Sequence, residues 1–178
     1  MKINRKFIIL ISLFLLLTVN LFAGDGGDDK EIRELNKNDL HFVTDQGDFI
    51  ALDMNSDEVV NFLGEPEEIV VRENPYNKSL DRIMYKYDSG IKFIISRGTK
   101  SIDYIVVSTD KFILPREICV GDSISLVVEK YPLYNELPNG DLSLQYYTDD
   151  ETLRELYILF EVQDGFISKI ILGVAIDI

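Results

Sequence analysis

The sequence predicts an α+β fold built from two tandem modules, each a short helical segment followed by a small antiparallel β-meander. Three observations carry that reading. The first is a weak internal repeat of about 65 residues. Met54-Asn55-Ser56-Asp57-Glu58-Val59-Val60-Asn61-Phe62-Leu63-Gly64-Glu65-Pro66 is answered by Val120-Gly121-Asp122-Ser123-Ile124-Ser125-Leu126-Val127-Val128-Glu129-Lys130-Tyr131-Pro132, and Ile102 to Val107 is answered by Ile167 to Leu172. The second is a pair of helix starts, one at Asn55-Ser56 and one at Asp122-Ser123, where short polar side chains can accept from the first free amides. The third is a series of alternating apolar runs divided by Gly- and Asp-rich turns. The predicted organisation is a signal segment at 1–23, a flexible acidic leader at 24–38, a first module at 39–112 and a second at 113–178.

The elements follow in order. Lys2, Arg5 and Lys6 precede an almost wholly apolar run from Phe7 to Val19, and Leu21-Phe22-Ala23 gives a cleavage site before Gly24. The run is short for a spanning helix, so cleavage is expected, with a retained membrane anchor as the alternative. Gly24 and Asp25 stand where a lipoprotein would carry its lipidated cysteine. Residues 24 to 38 are acidic and poor in apolar side chains, and read as a disordered or loosely helical leader with a short helix at Glu31 to Leu35. Leu40 to Val43 and Phe49 to Leu52 read as strands. A helix follows, capped at Asn55 or Ser56, with Val59, Phe62 and Leu63 on one face and Gly64 and Pro66 ending it.

Ile69 to Arg72 is a short strand. Arg82 to Tyr87 alternates, with Ile83, Tyr85 and Tyr87 on one side. Asp88-Ser89-Gly90 turns the chain into Ile91 to Ser96, and Arg97-Gly98-Thr99-Lys100 turns it into Ile102 to Thr109. The second copy has a helix from Asp122 or Ser123 to about Lys130, a strand at Leu142 to Tyr147 and an exposed loop at Asp149-Asp150-Glu151. Its alternating strand runs from Leu153 to Val162, with Leu156, Ile158 and Phe160 on one side. Asp164-Gly165 is a hairpin turn, and Phe166 to Val174 is expected to form the C-terminal sheet edge. The repeat places Ile105, Val107, Ile170 and Leu172 in the core, with Tyr104, Lys169, Tyr157 and Glu155 on the opposite face.

Composition narrows the function. The chain of 178 residues has a formal charge of -13, and removing the three signal cations makes the mature chain three units more negative. Such a field repels nucleic acid and anionic membrane, and favours solubility or a basic partner. Cys119 is the one cysteine and His41 the one histidine. No disulfide can close within the chain, and a buried, inert thiol is the reading for Cys119. No tetrahedral metal site or Cys/His nucleophile is apparent, and no cofactor is expected. Glu65, Glu67 and Glu68, like Asp149 to Glu151, do not have the spacing of a calcium loop. There is no phosphate-binding glycine loop and no nucleophile elbow. Tyr85, Tyr87, Tyr104, Tyr146, Tyr147 and Tyr157 all fall in predicted strands and make a tyrosine-bearing sheet face the main binding candidate.

The helix starts, the Gly-x-Pro and Tyr-Pro helix ends, and above all Leu114-Pro115-Arg116-Glu117-Ile118-Cys119-Val120-Gly121-Asp122-Ser123 resemble the repeat of the beta-lactamase inhibitory protein fold. That fold is also similar to small outer-membrane lipoproteins that assist barrel assembly. The resemblance spans about residues 49 to 174. It implies two inhibitor-like modules whose sheets lie side by side and form a concave face that grips another protein. It also implies that hairpins enter the target, at Asp88, Ser89 and Gly90 in the first module and around Asp164 to Phe166 in the second. This chain differs from the inhibitor in its single cysteine and its lack of tryptophan.

The expected function is therefore an exported, non-enzymatic protein-binding module, an inhibitor or an envelope accessory, in the periplasm or outside the cell. Its expected partner is another exported or envelope protein, not nucleic acid and, after cleavage, not a membrane. The expected binding residues are Tyr104, Tyr157, Lys169, Asp88, Ser89, Asp164 and Phe166. The alternatives are an enzyme acting on an envelope polymer, which needs a deep pocket with convergent polar groups, and an immunity-type or structural envelope protein held by an uncleaved N-terminal helix.

Overall fold

The computed structural model describes residues 35–147 and 155–174. The signal segment, most of the leader and the Asp149-Asp150-Glu151 loop lie outside them. The elements are β1 (His41–Thr44), β2 (Phe49–Ala51), α1 (Ser56–Leu63), β3 (Glu68–Arg72), β4 (Arg82–Lys86), β5 (Ile91–Ser96), β6 (Ile102–Val107), β7 (Phe112–Ile113), α2 (Ile124–Lys130), β8 (Asn135–Glu136), β9 (Leu142–Tyr147), β10 (Glu155–Gln163) and β11 (Phe166–Val174).

Eight of the strands form one antiparallel sheet in the order β3-β4-β5-β6-β11-β10-β9-β8, and β2-β1-β7 form a second, three-stranded sheet. This corrects the predicted α+β pair of helix-plus-meander modules. The described residues are mainly β, and the two α-helices among them, eight and seven residues long, are minor elements. The strands assigned to separate meanders run through a single sheet because β6 pairs with β11. Their register sets Ile105 opposite Leu172 and Val107 opposite Ile170. All four side chains are fully buried. A free β6 or β11 edge would leave a row of backbone donors and acceptors unpaired beside this apolar surface. Phe166–Val174 is accordingly a central strand, with partners on both sides, and the expected C-terminal edge lies elsewhere. The edges are β3 and β8.

One face of the large sheet carries the core. Ile91, Phe93, Ile95, Leu142, Leu144, Leu156, Ile158 and Phe160 point into it with the four residues above. Val59 of α1, Val127 of α2, and Phe42, Ile50 and Phe112 of the small sheet belong to the same cluster. The helix ends follow local chemistry. Asn55 caps α1 by accepting from the Asp57 amide at 2.9 Å, and Gly64 ends it at φ 80°. Asp57 and Glu58 occupy its first turn, where the dipole favours them. Phe62, expected on the buried face, is about half exposed, because Val59 alone of that helix is an apolar side chain fully inside. At α2 neither expected cap acts through its side chain. Ser123 is the N-cap residue, but its hydroxyl meets the Ser125 hydroxyl at 2.7 Å and not a helix amide, and the Asp122 carboxylate accepts from the Cys119 amide at 2.8 Å. The Asp164-Gly165 hairpin has both central residues at positive φ, 53° and 82°, as a tight antiparallel connection requires.

An ion pair is built into the interior. Asp39, in a single 3-10 turn that spans the boundary between the expected leader and first module, is 3 % exposed. Arg116 donates to it through Nε at 2.9 Å and Nη2 at 2.8 Å, and through Nη1 to the Lys130 carbonyl at 2.7 Å. Its guanidinium also lies 4.3 Å from the centroid of the buried Tyr131 ring. One side chain thus ties the start of the described chain to the segment before α2 and to the end of that helix.

Removing one partner would leave a buried charge unmatched. Asp39→Ala is expected to lower stability by about 3 kcal/mol, and the Asp39→Ala, Arg116→Ala double variant by less than the sum of the two singles. Denaturant unfolding measures both. A single-variant loss below about 1 kcal/mol would mean that the pair is dispensable.

Candidate functional site

The sheet's second face has no helix or strand of the described residues packed on it. Alternation along each strand sets its composition. The core set of β10 is Leu156, Ile158 and Phe160, so Glu155, Tyr157, Leu159 and Glu161 stand on the other side. Register then lines up a cross-sheet row of Val70, Met84, Ile94, Tyr104, Gly173, Tyr157 and Gln145. The neighbouring row is Glu68, Lys86, Lys92, Val106, Ile171, Leu159 and Ser143. Met84, Ile94, Tyr104, Val106, Ile171, Leu159 and Tyr157 are all half-buried. The centre of the face is therefore an apolar and aromatic strip.

Tyr104 and Tyr157 meet at this centre. Their ring centroids are 6.4 Å apart with planes at 61°, an edge-to-face contact. Gly173 lies between them on β11. A Cβ there would stand 2.6 Å from Tyr157 Cζ and 2.7 Å from Tyr104 Cδ1. The missing side chain is what lets two rings from strands on either side of β11 touch. Burial pushes the Tyr157 hydroxyl up to about 12, and neighbouring Tyr104 adds to the effect. At neutral pH it is an uncharged donor and acceptor over Gly173, within the apolar strip.

Charged pairs surround the strip. Arg82 pairs with Asp103, Lys86 with Glu68 at 3.1 Å, and Lys169 with Glu161. A hydrogen bond from Lys86 to Glu68 raises the lysine further. Although the chain as a whole is strongly acidic, this face carries the cations Arg72, Arg82, Lys86, Lys92 and Lys169 among its carboxylates.

The expected binding residues separate into two groups. Tyr104 and Tyr157 come together. Lys169 shares their face but is held by Glu161. The hairpin residues Asp88, Ser89, Asp164 and Phe166 lie towards one end of the sheet, roughly 13 Å or more along the strands from the tyrosine row. Both hairpins are anchored. The Thr109 hydroxyl donates to the Ser89 carbonyl at 3.1 Å, and the Ile124 amide to the Gly165 carbonyl at 3.0 Å. Asp88 is exposed and raises neighbouring Glu67 through a shared carboxyl hydrogen bond. Phe166 is 55 % exposed.

Of the other strand tyrosines, Tyr87 is buried in the core, and Tyr85 and Tyr146 pack against it. They belong to the opposite face. The aliphatic members of the strip, Met84, Ile94, Val106, Leu159 and Ile171, are missing from the sequence-derived site. The signal for them is present in the alternation, since each falls out of phase with a core residue on its own strand. Cys119 is half-buried, and burial with nearby Asp122 pushes its thiol up to about 11, so it is protonated and a poor nucleophile at neutral pH. Burial lowers His41, which packs against Phe49. No cluster of three or more His, Cys, Asp or Glu suited to a metal occurs among the described residues. A cavity of about 340 Å³ lies beside Lys37, His41, Phe49 and Leu156, open to solvent and mainly apolar.

No protein-family model matches the sequence, and no curated protein matches it. Among solved structures, the chain is similar to an extracellular protein containing an SCP domain from Bacillus anthracis str. Ames. The two are 15% identical, with a TM-score of 0.45, over 68% of this chain and 43% of that one. The chain thus spans less than half the length of that protein. Among the described residues no helix is long and apolar enough to cross a membrane.

Two outcomes are expected from this geometry. Gly173→Ala should displace the tyrosine rings, changing the near-ultraviolet circular dichroism and lowering stability by about 1–3 kcal/mol; an unchanged aromatic spectrum would contradict the contact. Alkaline pH should also destabilise the fold. Burial raises Tyr87 and Tyr157 to about 12 from 10.0, and raises Tyr131 as well. The unfolded chain releases these protons first, so the stabilisation is complete below pH 10 and is lost as pH rises towards about 12. Urea midpoints between about pH 9 and 11 should fall, and Tyr157→Phe should reduce the fall. Equal falls in both proteins would remove Tyr157 from the effect.

Proposed function

We propose that this chain is an exported, non-enzymatic protein-binding module, and that it holds its partner on the open face of the large sheet. The observation that carries this reading is the Tyr104–Tyr157 pair over Gly173, set in a half-buried aliphatic strip and bordered by charged pairs. Aromatic anchors at the centre of an apolar patch with a polar rim are the usual anatomy of a protein interface. The two tyrosines lose little conformational freedom on binding because they already pack on each other. An inhibitor and an envelope-assembly accessory are the two forms suggested by the resemblance of the helix starts. A periplasmic or secreted location, with the N-terminal segment removed on export, belongs to the same proposal. The cation-bearing face favours a partner with an apolar patch and some acidic groups.

Site-specific photo-crosslinking tests this. A benzophenone side chain at Ile94, on the open face, should trap one defined exported protein in the native envelope, whereas the same group at exposed Gln46 should not. Tyr104→Ala with Tyr157→Ala should reduce the crosslink at least about tenfold, as expected when central aromatic anchors are lost. An adduct of equal yield in the double variant would show that the tyrosines do not form the interface, and no adduct from Ile94 would show that this face does not.

A further inference from the structure

The two edges of the large sheet differ in a way that points to a second surface. At one edge β8 is two residues long, Asn135–Glu136, and polar. Short, polar edges resist pairing with another chain. At the other edge β3 is Glu68-Ile69-Val70-Val71-Arg72, and all five residues are exposed. Ile69 is 53 %, Val70 39 % and Val71 47 % exposed. Its pairing with β4 runs without a bulge from Glu68↔Lys86 to Arg72↔Arg82. No proline, lysine or bulge interrupts the strand, so the usual protections of a free edge are absent. Ile69 and Val71 lie on the core side of the sheet and Val70 on the open side, so the edge is apolar on both faces.

The charges at its ends decide what fits. Arg72 has no acidic partner among the described residues, whereas Glu68 already meets Lys86. Two copies of this strand paired antiparallel about Val70 would set Ile69 opposite Val71 and each Glu68 opposite the other copy's Arg72. Both ends then carry opposite charges directly across the ladder, the favourable arrangement for a cross-strand pair. Side-chain alternation restricts the choice, because a two-fold axis through the sheet requires paired residues to share a face. Shifting the centre to Ile69 brings Pro66 into the ladder opposite Arg72. Shifting it to Val71 sets Arg72 opposite Val70 and leaves Glu68 without its match. The register centred on Val70 is the self-complementary one.

We infer that β3 is a homodimerisation edge, joining two copies of this chain into one continuous antiparallel sheet through the Glu68–Arg72 register. The contact is isologous and closes on itself, so it yields dimers and not fibres. A five-residue ladder is a small interface, so the association is concentration-dependent. It is independent of the tyrosine strip, which lies further in on the sheet.

Sedimentation equilibrium of the exported chain at physiological ionic strength tests it, with circular dichroism confirming that each variant folds. The wild type should show a monomer–dimer equilibrium, and Val70→Lys should abolish it. Glu68→Arg alone sets Arg against Arg, and Arg72→Glu alone sets Glu against Glu, so each should weaken the dimer about tenfold or more. A mixture of these two variants should restore it, because every end then meets its opposite. A wild type that stays monomeric at millimolar concentration would overturn the inference, and would leave the edge for a strand from a different chain. A dimer that survives Val70→Lys, or whose single charge variants do not complement each other when mixed, would place the interface elsewhere.

Discussion

The pairing of β6 with β11 is the constraint on which the rest of this structure depends. Ile105 and Val107 from one half of the chain lie across from Leu172 and Ile170 of the other, all without solvent exposure. Four such side chains contribute on the order of 6–12 kcal/mol of burial between them. That contact closes the backbone ladder at the middle of the sheet and fixes which strands become edges. It also determines the chemistry of the opposite face, since a strand with its core residues in place has its remaining side chains in place too. Tyr104 stands on β6 because Ile105 points inward, and Gly173 follows Leu172 for the same reason. The tyrosine pair is thus a consequence of the core.

The interior is held by a second device of different character. Arg116 gathers Asp39, the Lys130 carbonyl and the Tyr131 ring around one guanidinium. A buried ion pair gains little over an apolar substitute, but it is specific, because each misplaced partner leaves an unmatched charge. Here it fixes where the segment before β1 lies against the end of α2. The planar fork of arginine suits this task, with two nitrogens on one carboxylate and a third on a carbonyl.

Local chemistry made much of the fold legible. Asn55 and Gly64 marked the ends of α1, Asp164-Gly165 marked a hairpin, and the Leu156-Ile158-Phe160 alternation gave the buried face of β10. The choice of Ile105, Val107, Ile170 and Leu172 as core was also legible, and with it the placing of Tyr104 and Tyr157 on the other side. What alternation does not encode is which strands are neighbours. Phe166–Val174 read as an edge because it ends the chain, yet its neighbours are set by the free side of β6, which lies far away in sequence. The same non-local pairing turned two expected modules into one sheet. The burial of Asp39, where the expected leader meets the first module, carried no local signal, because its partner Arg116 is distant in the chain. Gly173 carried no local signal, since its role is to leave room for rings on two other strands.

Native-state hydrogen exchange across urea concentrations would test most directly whether the β6–β11 seam makes the chain one cooperative body. Amides of β5, β6, β10 and β11 should converge on a single opening free energy equal to that of global unfolding. If the amides of β4 to β6 instead opened together at a clearly lower free energy, while β9 to β11 remained protected, the seam would be a contact between two separately stable halves.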